Sequence, residues 1–171
     1  MPGLLLFRHA KSDRAGFSGD DFERPLNQRG VAAARRMGGL LAGAGQIPGL
    51  VLCSTALRAR STLDLAMASG GWHSSVRHER SLYLAGPETM RRHLIDLPDE
   101  HSLVMIVAHE PGLSEMLGWL VGGGAHRMPT AAVARVDLAA PRWGNLAEGR
   151  CELQWLVTPR LFPAVRTDNR S

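Results

Sequence analysis

Three short apolar runs, none of them interrupted by an alternating polar position, constrain the fold of this chain most strongly. They cover residues 4–7, 50–53 and 103–108. Uninterrupted apolar runs of this length are typical of strands buried on both faces of a parallel sheet. Helical patterns separate the runs, and no internal repeat or linker divides the chain. We therefore predict one α/β domain over residues 1–171, with a tail from about residue 159.

Basic and imidazole side chains follow each of these runs. Arg8 and His9 follow the first run, Arg58 lies shortly after the second, and His109 follows the third. Ligands of open α/β sheets bind in the crevice beyond the carboxyl ends of the strands. We therefore expect these four side chains to meet in one pocket at that edge of the sheet.

Four helices and two further strands are predicted from periodicity and from capping signals. Asn27 is expected to cap a helix that ends near Gly43, and Pro87 fits the first position of another helix. The remaining helices are expected from about 56 to 70 and over 113–121, where apolar residues recur at helical spacing. Residues 133–138 and 152–157 are predicted to form a hairpin or an edge pair of strands. Residues 72–86 show little pattern beyond a short strand around Val76.

The composition is that of an ordinary globular protein, with 44% hydrophobic and 21% charged residues. No apolar run approaches the roughly 20 residues needed to cross a bilayer, and no signal peptide is evident. Two cysteines are too few for a disulfide framework. We therefore expect a cytoplasmic protein that is not embedded in a membrane.

The formal net charge of +4 does not by itself indicate a nucleic-acid-binding protein. The basic residues are nineteen arginines and the single lysine Lys11, and they are scattered singly or in pairs, without interleaved aromatic residues. We therefore expect no nucleic-acid partner. A few arginines focused in a cleft would still favour an anionic ligand such as phosphate.

Two arginines and two histidines at one sheet edge predict phosphoryl chemistry. Arginine forks match phosphate oxygens, and a neutral imidazole is a competent nucleophile toward phosphorus. A second, protonated histidine would stabilise the charge that develops on the phosphoryl oxygens. The expected pocket lacks paired cysteine or carboxylate ligands, so we predict neither a metal nor another cofactor.

Four motifs, in the same order along the chain, resemble those of the histidine phosphatase superfamily, which has the phosphoglycerate mutase-like fold. The Arg-His-Ala-Lys-Ser sequence at 8–12 resembles the superfamily's Arg-His-Gly motif and, in this variant, its small SixA-type phosphohistidine phosphatase branch. The other motifs are Arg-Pro-Leu at 24–26 with Gly30, Ser-x-x-x-Arg-Ala-x-x-Thr at 54–62, and Val-Ala-His-Glu-Pro-Gly-Leu at 107–113. Met-Pro-Thr at 128–130 resembles a further segment ahead of the late strand.

The resemblance implies a three-layer α/β/α sandwich with a mainly parallel central sheet. It also implies that His9 is the nucleophile that becomes phosphorylated. By the same resemblance, Arg8 and Arg58 hold the phosphoryl group and His109 assists in the transition state. Arg24 is expected either to reach the phosphate or to form a salt bridge within its loop.

Two departures from the family pattern bear on the substrate. Ala10 stands where the family usually has glycine. The chain also lacks the long insertion that covers the pocket in larger members, which implies an open and shallow site. An open site suits a phosphorylated protein side chain better than a small, enclosed metabolite.

The proton donor has two candidates, each with an ordinary structural alternative. Glu88 lies roughly where larger members carry their acid, but it also fits as a charge in the first turn of a helix. Asp21 lies three residues before Arg24 and equally fits a solvated loop. Lys11 and Ser12 are expected to be loop residues. An alkoxide leaving group needs a proton donor, whereas a ring-protonated phosphohistidine releases neutral imidazole with little help.

The sequence thus favours a metal-independent phosphatase that acts through His9 on phosphohistidine in proteins. One alternative is a phosphatase of small phosphomonoesters. The other is a non-catalytic domain that binds phosphoproteins. The expected partner is a phosphorylated histidine-containing protein or a small phosphorylated substrate.

Overall fold

The computed structural model describes residues 1–162, which form six strands and four α-helices that alternate until the last two strands follow each other. The strands are β1 (Gly3–Arg8), β2 (Leu50–Ser54), β3 (Ser75–Glu79), β4 (Leu103–Ala108), β5 (Val133–Leu138) and β6 (Cys151–Val157). The helices are α1 (Gln28–Gly43), α2 (Leu57–Gly70), α3 (Pro87–Ile95) and α4 (Gly112–Val121). Short 3₁₀ turns at Asp21–Glu23 and Arg80–Leu82 lie in the connections that border the site.

One sheet holds all six strands in the order β3-β2-β4-β1-β5-β6. The first four strands in that order pair in parallel, and β5 and β6 add antiparallel pairs at one side. The predicted late hairpin is therefore confirmed, with β5 between β1 and the edge strand β6. The expected short strand around Val76 is also present, as β3 at the opposite edge of the sheet.

Two hydrophobic clusters cover the two faces of the sheet and make the fold a three-layer α/β/α sandwich. Leu4 and Leu6 of β1 pack in the cluster that contains the apolar faces of α3 and α4. Leu5 and Phe7 pack on the other face, against α1 and α2. Successive strand residues point to opposite faces, so burial on both faces requires a run without polar positions. The expected fold class is confirmed.

The helix boundaries follow the predicted capping signals closely. The Asn27 side chain accepts a hydrogen bond from the Gly30 amide at the start of α1. Pro87 occupies the first turn of α3, and Gly71 and Gly122 end α2 and α4 in the left-handed conformation.

The predicted tail lies only partly within the described residues. Pro159–Leu161 form a 3₁₀ turn, and residues 163–171 lie outside the part of the chain that the structure describes. Among residues 1–162, no helix is both long enough and apolar enough to span a membrane.

Candidate active site

The carboxyl ends of β1 and β4 bring the two predicted histidines together. Arg8 pairs with Ala108 in the register of these parallel strands, and the amide of His9 donates to the carbonyl of Ala108 at 3.1 Å. The residues that leave the two strands therefore enter the same crevice. The ring centroids of His9 and His109 are 5.1 Å apart.

Hydrogen bonding fixes the tautomer of His9. Its Nδ1 lies 2.7 Å from the carbonyl oxygen of Ala10. A carbonyl only accepts hydrogen bonds, so Nδ1 carries the proton and Nε2 keeps the lone pair. Burial, which disfavours the charged ring, lowers the pKa of His9 to about 3. The free protein therefore presents a neutral imidazole whose Nε2 can act as a nucleophile.

Arg58 reaches the same Nε2 atom from the first turn of α2. Its Nε donates to His9 Nε2 at 3.3 Å, and its side chain is almost fully buried. Its two terminal nitrogens donate to Asp21, one to the backbone carbonyl at 2.6 Å and one to the carboxylate Oδ2 at 3.0 Å. The planar guanidinium is thus held in a fixed orientation beside Nε2 of His9.

Thr62 connects α2 to the end of β1, which gives a structural role to the threonine that ends the motif at 54–62. Its hydroxyl donates to the carbonyl of Arg58 at 2.6 Å and accepts from the amide of Ala10 at 2.9 Å. Ala10 itself is fully buried, and its φ angle is not positive. The local backbone therefore accommodates alanine in place of the family's glycine.

His109 is held by a serine at the end of β2. Its Nε2 lies 2.8 Å from Ser54 Oγ, which also accepts a hydrogen bond from the Ala56 amide. The buried hydroxyl of Ser54 has no other acceptor for its proton within residues 1–162, so it donates to Nε2, which leaves the ring proton on Nδ1. Burial and the nearby Arg58 charge lower the pKa of His109 to about 3. The expectation of a protonated second histidine is therefore not met in the ligand-free protein.

Three buried donors in this region lack a hydrogen-bond partner within residues 1–162. They are Nε of Arg8, Nε of Arg24 and Nδ1 of His109. Arg8 is anchored by a different nitrogen, Nη1, which donates to the carbonyl of Met128 at 2.8 Å. Buried donors without partners are costly in a folded protein and often mark the place of a ligand. Their chemistry suits the oxygens of a phosphoryl group.

Asp21, a candidate proton donor, is instead held as a carboxylate by three neighbours. Arg24 lies 2.7 Å from Oδ1, and both Arg58 and the hydroxyl of Tyr83 bond to Oδ2, at 3.0 and 2.7 Å. The hydrogen bond from Tyr83 and the two arginine charges lower the pKa of Asp21. Asp21 in this ionised state is suited to orient Arg58, and it has no proton to donate.

Glu88, the other candidate acid, lies on the exposed side of α3. Its carboxylate pairs with Arg91 at 2.8 Å and with Arg92 at 3.1 Å, and these contacts lower its pKa to about 2. No contact within the described residues joins Glu88 to the two histidines. The structure therefore places it as a charge in the first turn of a helix rather than in the pocket.

Tyr83 is one residue of the pocket region that sequence reasoning missed. Besides its bond to Asp21, its ring lies edge-on to His109 with centroids 5.4 Å apart, and it forms an edge-on pair with Phe22 at 5.1 Å. It follows β3 in a stretch without helical or strand periodicity. The available signal was that it is the only tyrosine of the chain and lies near the carboxyl end of a strand.

Glu110 is a second residue of the pocket region to which the sequence assigned no role. It follows His109 directly, and one of its carboxylate oxygens is buried without a partner in the described chain. Burial lowers the pKa of Arg8, and the negative charge of Glu110 partly offsets this effect.

Arg8 and His9 line an open cleft of about 500 Å³. The loop that follows β1 forms most of its wall. Lys11 and Ser12, which we expected to be loop residues, line this cleft, and Ser12 also bridges to Leu26. Within residues 1–162, no group of three His, Cys, Asp or Glu side chains is arranged to hold a metal ion.

Comparisons with known proteins agree with the fold and the motifs. No family model matches the chain. An uncharacterized protein of Mycobacterium leprae is 35% identical over 167 residues, which cover 90% of this chain and 99% of the relative. A structure provisionally named phosphohistidine phosphatase SixA, from Nakamurella multipartitia, is 30% identical with a TM-score of 0.77, over 92% of this chain and 96% of its own.

The structure of a protein histidine phosphatase SixA in complex with tungstate superimposes with a TM-score of 0.80 and 25% identity. The alignment covers 93% of this chain and 98% of the other. These similarities extend over nearly the whole chain. The chain belongs to the histidine phosphatase superfamily, within its SixA-type branch.

Proposed function

We propose that this protein is a metal-independent phosphatase that works through a phosphohistidine formed on His9 and acts on phosphohistidine in other proteins. One observation carries the proposal. The neutral, buried His9 presents its Nε2 lone pair beside Arg58, and three buried donors without partners lie in the same region.

In the first step, Nε2 of His9 attacks phosphorus, and the bond from phosphorus to the leaving group breaks. The hydrogen bond from Nδ1 to the carbonyl of Ala10 stabilises the positive charge that the ring gains. Arg58 releases the Nε2 lone pair and turns its Nε–H toward a phosphoryl oxygen. Arg8, Arg24 and His109 supply the other donors.

In the second step, water attacks the phosphohistidine, and the bond between phosphorus and Nε2 breaks. Inorganic phosphate leaves with the oxygen and one proton of the water, and the second proton passes to solvent. The same oxygens gain charge in both steps, so the same donors stabilise both transition states. His9 returns to its neutral form with the proton on Nδ1.

The preference for phosphohistidine follows because neither Asp21 nor Glu88 is placed to donate a proton to a leaving group in the pocket. Asp21 is held as a carboxylate by Arg58, Arg24 and Tyr83, and Glu88 is paired on the surface. A ring-protonated phosphohistidine leaves as neutral imidazole and needs no further proton. An alkyl phosphate leaves as a basic alkoxide and does need one.

Cleavage of small phosphomonoesters is the second candidate function, and one observation favours it. The buried carboxylate oxygen of Glu110 has no partner among the described residues, which makes this side chain a candidate to transfer a proton to a leaving oxygen. A non-catalytic phosphoprotein-binding domain has no comparable support, because the nucleophile and its donors are all present.

A substrate panel tests the proposal. Phosphate release is followed with a phosphorylated phosphotransfer-domain protein, p-nitrophenyl phosphate and an alkyl phosphate. We expect kcat/KM to be highest for the phosphohistidine protein and lowest for the alkyl ester. The Glu110→Gln variant should leave the phosphohistidine rate unchanged. Alkyl ester cleavage that is as fast as phosphohistidine cleavage, and that is lost in Glu110→Gln, would support the second candidate instead.

A further inference from the structure

A second cleft adjoins the one that begins at His9, and together they form a continuous groove along the N-terminal part of α1. The two clefts measure about 500 and 330 Å³ and share Lys11 and Thr130. We call them together the basic groove, because its lining includes the cationic residues Arg8, Lys11, Arg14, Arg29, Arg36 and Arg160.

The charge of the basic groove is not neutralised within residues 1–162. Its lining contains a single carboxylate, that of Asp13. None of the five cations beyond Arg8 forms a salt bridge in the described chain. Arginines elsewhere on the surface do, as in the pair of Arg77 with Glu79 and that of Arg135 with Asp137. Arg36 has only a backbone partner, since it donates to the carbonyl of Pro159 at 3.1 Å. The groove therefore concentrates cations whose charge no carboxylate of the described chain neutralises through a salt bridge.

Two of these cations, Arg29 and Arg36, are seven residues apart on α1, which places them on one face and about 10 Å apart along the helix axis. In the proposed function, Arg8, Arg24, Arg58 and His109 bind the transferred phosphoryl group. Binding of this one phosphoryl group therefore involves none of the cations that line the second cleft.

We propose that the basic groove binds an acidic segment of the protein that carries the phosphorylated histidine. The inference rests on the proposed function and adds to it the kind of substrate protein that the enzyme selects. A phosphohistidine in a protein brings neighbouring polypeptide to the crevice. A chain lying along α1 would place its carboxylates against Lys11, Arg29 and Arg160. Complementary charges of this kind raise the rate of association and select the partner.

Three phosphohistidine probes test the groove. One peptide carries glutamates on both sides of the phosphohistidine, a second carries glutamines at the same positions, and the third probe is the free phosphohistidine amino acid. We expect kcat/KM for the glutamate peptide to exceed that for the glutamine peptide by about tenfold at low ionic strength. The difference should shrink as salt screens the exposed charges.

Two arginines of α1 provide matched variants. Arg29→Glu reverses a charge in the groove, whereas Arg35→Glu reverses an exposed charge on the same helix that lines neither cleft. We expect Arg29→Glu to abolish the preference for glutamate and Arg35→Glu to retain it. Circular dichroism and thermal unfolding would show that both variants are folded.

Binding of a fluorescent glutamate peptide without phosphate separates failure of the groove from failure of the proposed function. If phosphohistidine is hydrolysed but the two peptides react equally, the groove proposal is overturned and the proposed function stands. If no phosphohistidine probe is hydrolysed, the proposed function fails. Salt-sensitive peptide binding that Arg29→Glu weakens would still support the groove. Inorganic tripolyphosphate that binds the groove more tightly than the peptide would overturn the choice of a protein ligand.

Discussion

The Nε–H of Arg58 donates to the Nε2 lone pair of His9 at 3.3 Å, so the atom that we propose as the nucleophile already has a hydrogen-bond partner. Attack on phosphorus requires that lone pair. In the proposed mechanism, substrate binding therefore transfers the Arg58 bond from the ring nitrogen to a phosphoryl oxygen. One guanidinium then orients the imidazole before the reaction and stabilises the phosphoryl group during it.

The most direct prediction is a phosphoryl group on His9 during turnover. Rapid-quench labelling with a phosphorylated substrate, followed by mass spectrometry, should find it on the peptide containing His9, labile in acid and stable in base. His9→Ala should abolish turnover, and His109→Ala should reduce it by about 10²–10³-fold because one electrostatic contact to the phosphoryl oxygens is lost. Turnover without label, together with a near-normal His9→Ala rate, would refute the mechanism.

A second prediction separates an orienting role of Asp21 from a role as acid. Asp21→Asn removes the charge that holds Arg58, and we expect kcat/KM to fall about ten- to hundredfold. The loss of kcat/KM should be the same for leaving groups of any pKa. Tyr83→Phe should also lower kcat/KM, but by a smaller factor. Glu88→Gln serves as the control and should leave the rate unchanged. A loss that grows with the leaving-group pKa would identify Asp21 as the proton donor.

The third prediction concerns stability as a function of pH. Burial lowers the pKa of His9 and of His109 from 6.5 to about 3. Between these values the unfolded chain binds protons that the folded chain does not. The free energy of unfolding should therefore fall as the pH falls from about 6.5 toward 3, by on the order of a few kcal/mol.

Urea denaturation across this window measures the effect. His109→Gln should show a flatter dependence on pH than the wild type, because one buried imidazole no longer resists protonation. The exposed His73 provides the control, and His73→Gln should follow the wild type. Parallel curves for His109→Gln and the wild type would show that His109 does not cause the loss of stability.

Replacement of Ala10 by the glycine usual in the family should affect stability more than catalysis. Ala10→Gly removes a fully buried methyl group and loosens the backbone of the unfolded chain, at a cost of roughly 1–2 kcal/mol. The bonds of the residue to His9 and Thr62 use only backbone atoms, so kcat/KM should stay within about threefold. A gain in kcat of tenfold or more would indicate that alanine restricts the pocket.

Treatment with a metal chelator tests whether the reaction needs a divalent ion. The groups placed to hold the phosphoryl oxygens are guanidinium and imidazole donors, and a guanidinium cannot coordinate a metal. We expect prolonged incubation with EDTA to leave kcat/KM unchanged. A loss of turnover that a divalent ion restores would overturn the metal-independent mechanism.

The amino-acid sequence alone determined the sheet, its mainly parallel character and the edge at which the four site residues meet. The physical reason is that a strand buried on both faces must be apolar throughout, as residues 4–7 and 103–108 are. Parallel strands then present their carboxyl ends at one edge, so the residue that follows each run is placed without knowledge of any loop.

Only the tertiary structure decided what the loops contribute. Tyr83 and Asp21 are 62 residues apart, and nothing in the local pattern of either predicts their hydrogen bond. That contact and the two arginines make Asp21 an ionised anchor for Arg58. The neutral state of His109 depends in the same way on burial beside Arg58. Periodicity reports which face of an element is buried, whereas pKa values and loop contacts depend on neighbours that only the folded chain assembles.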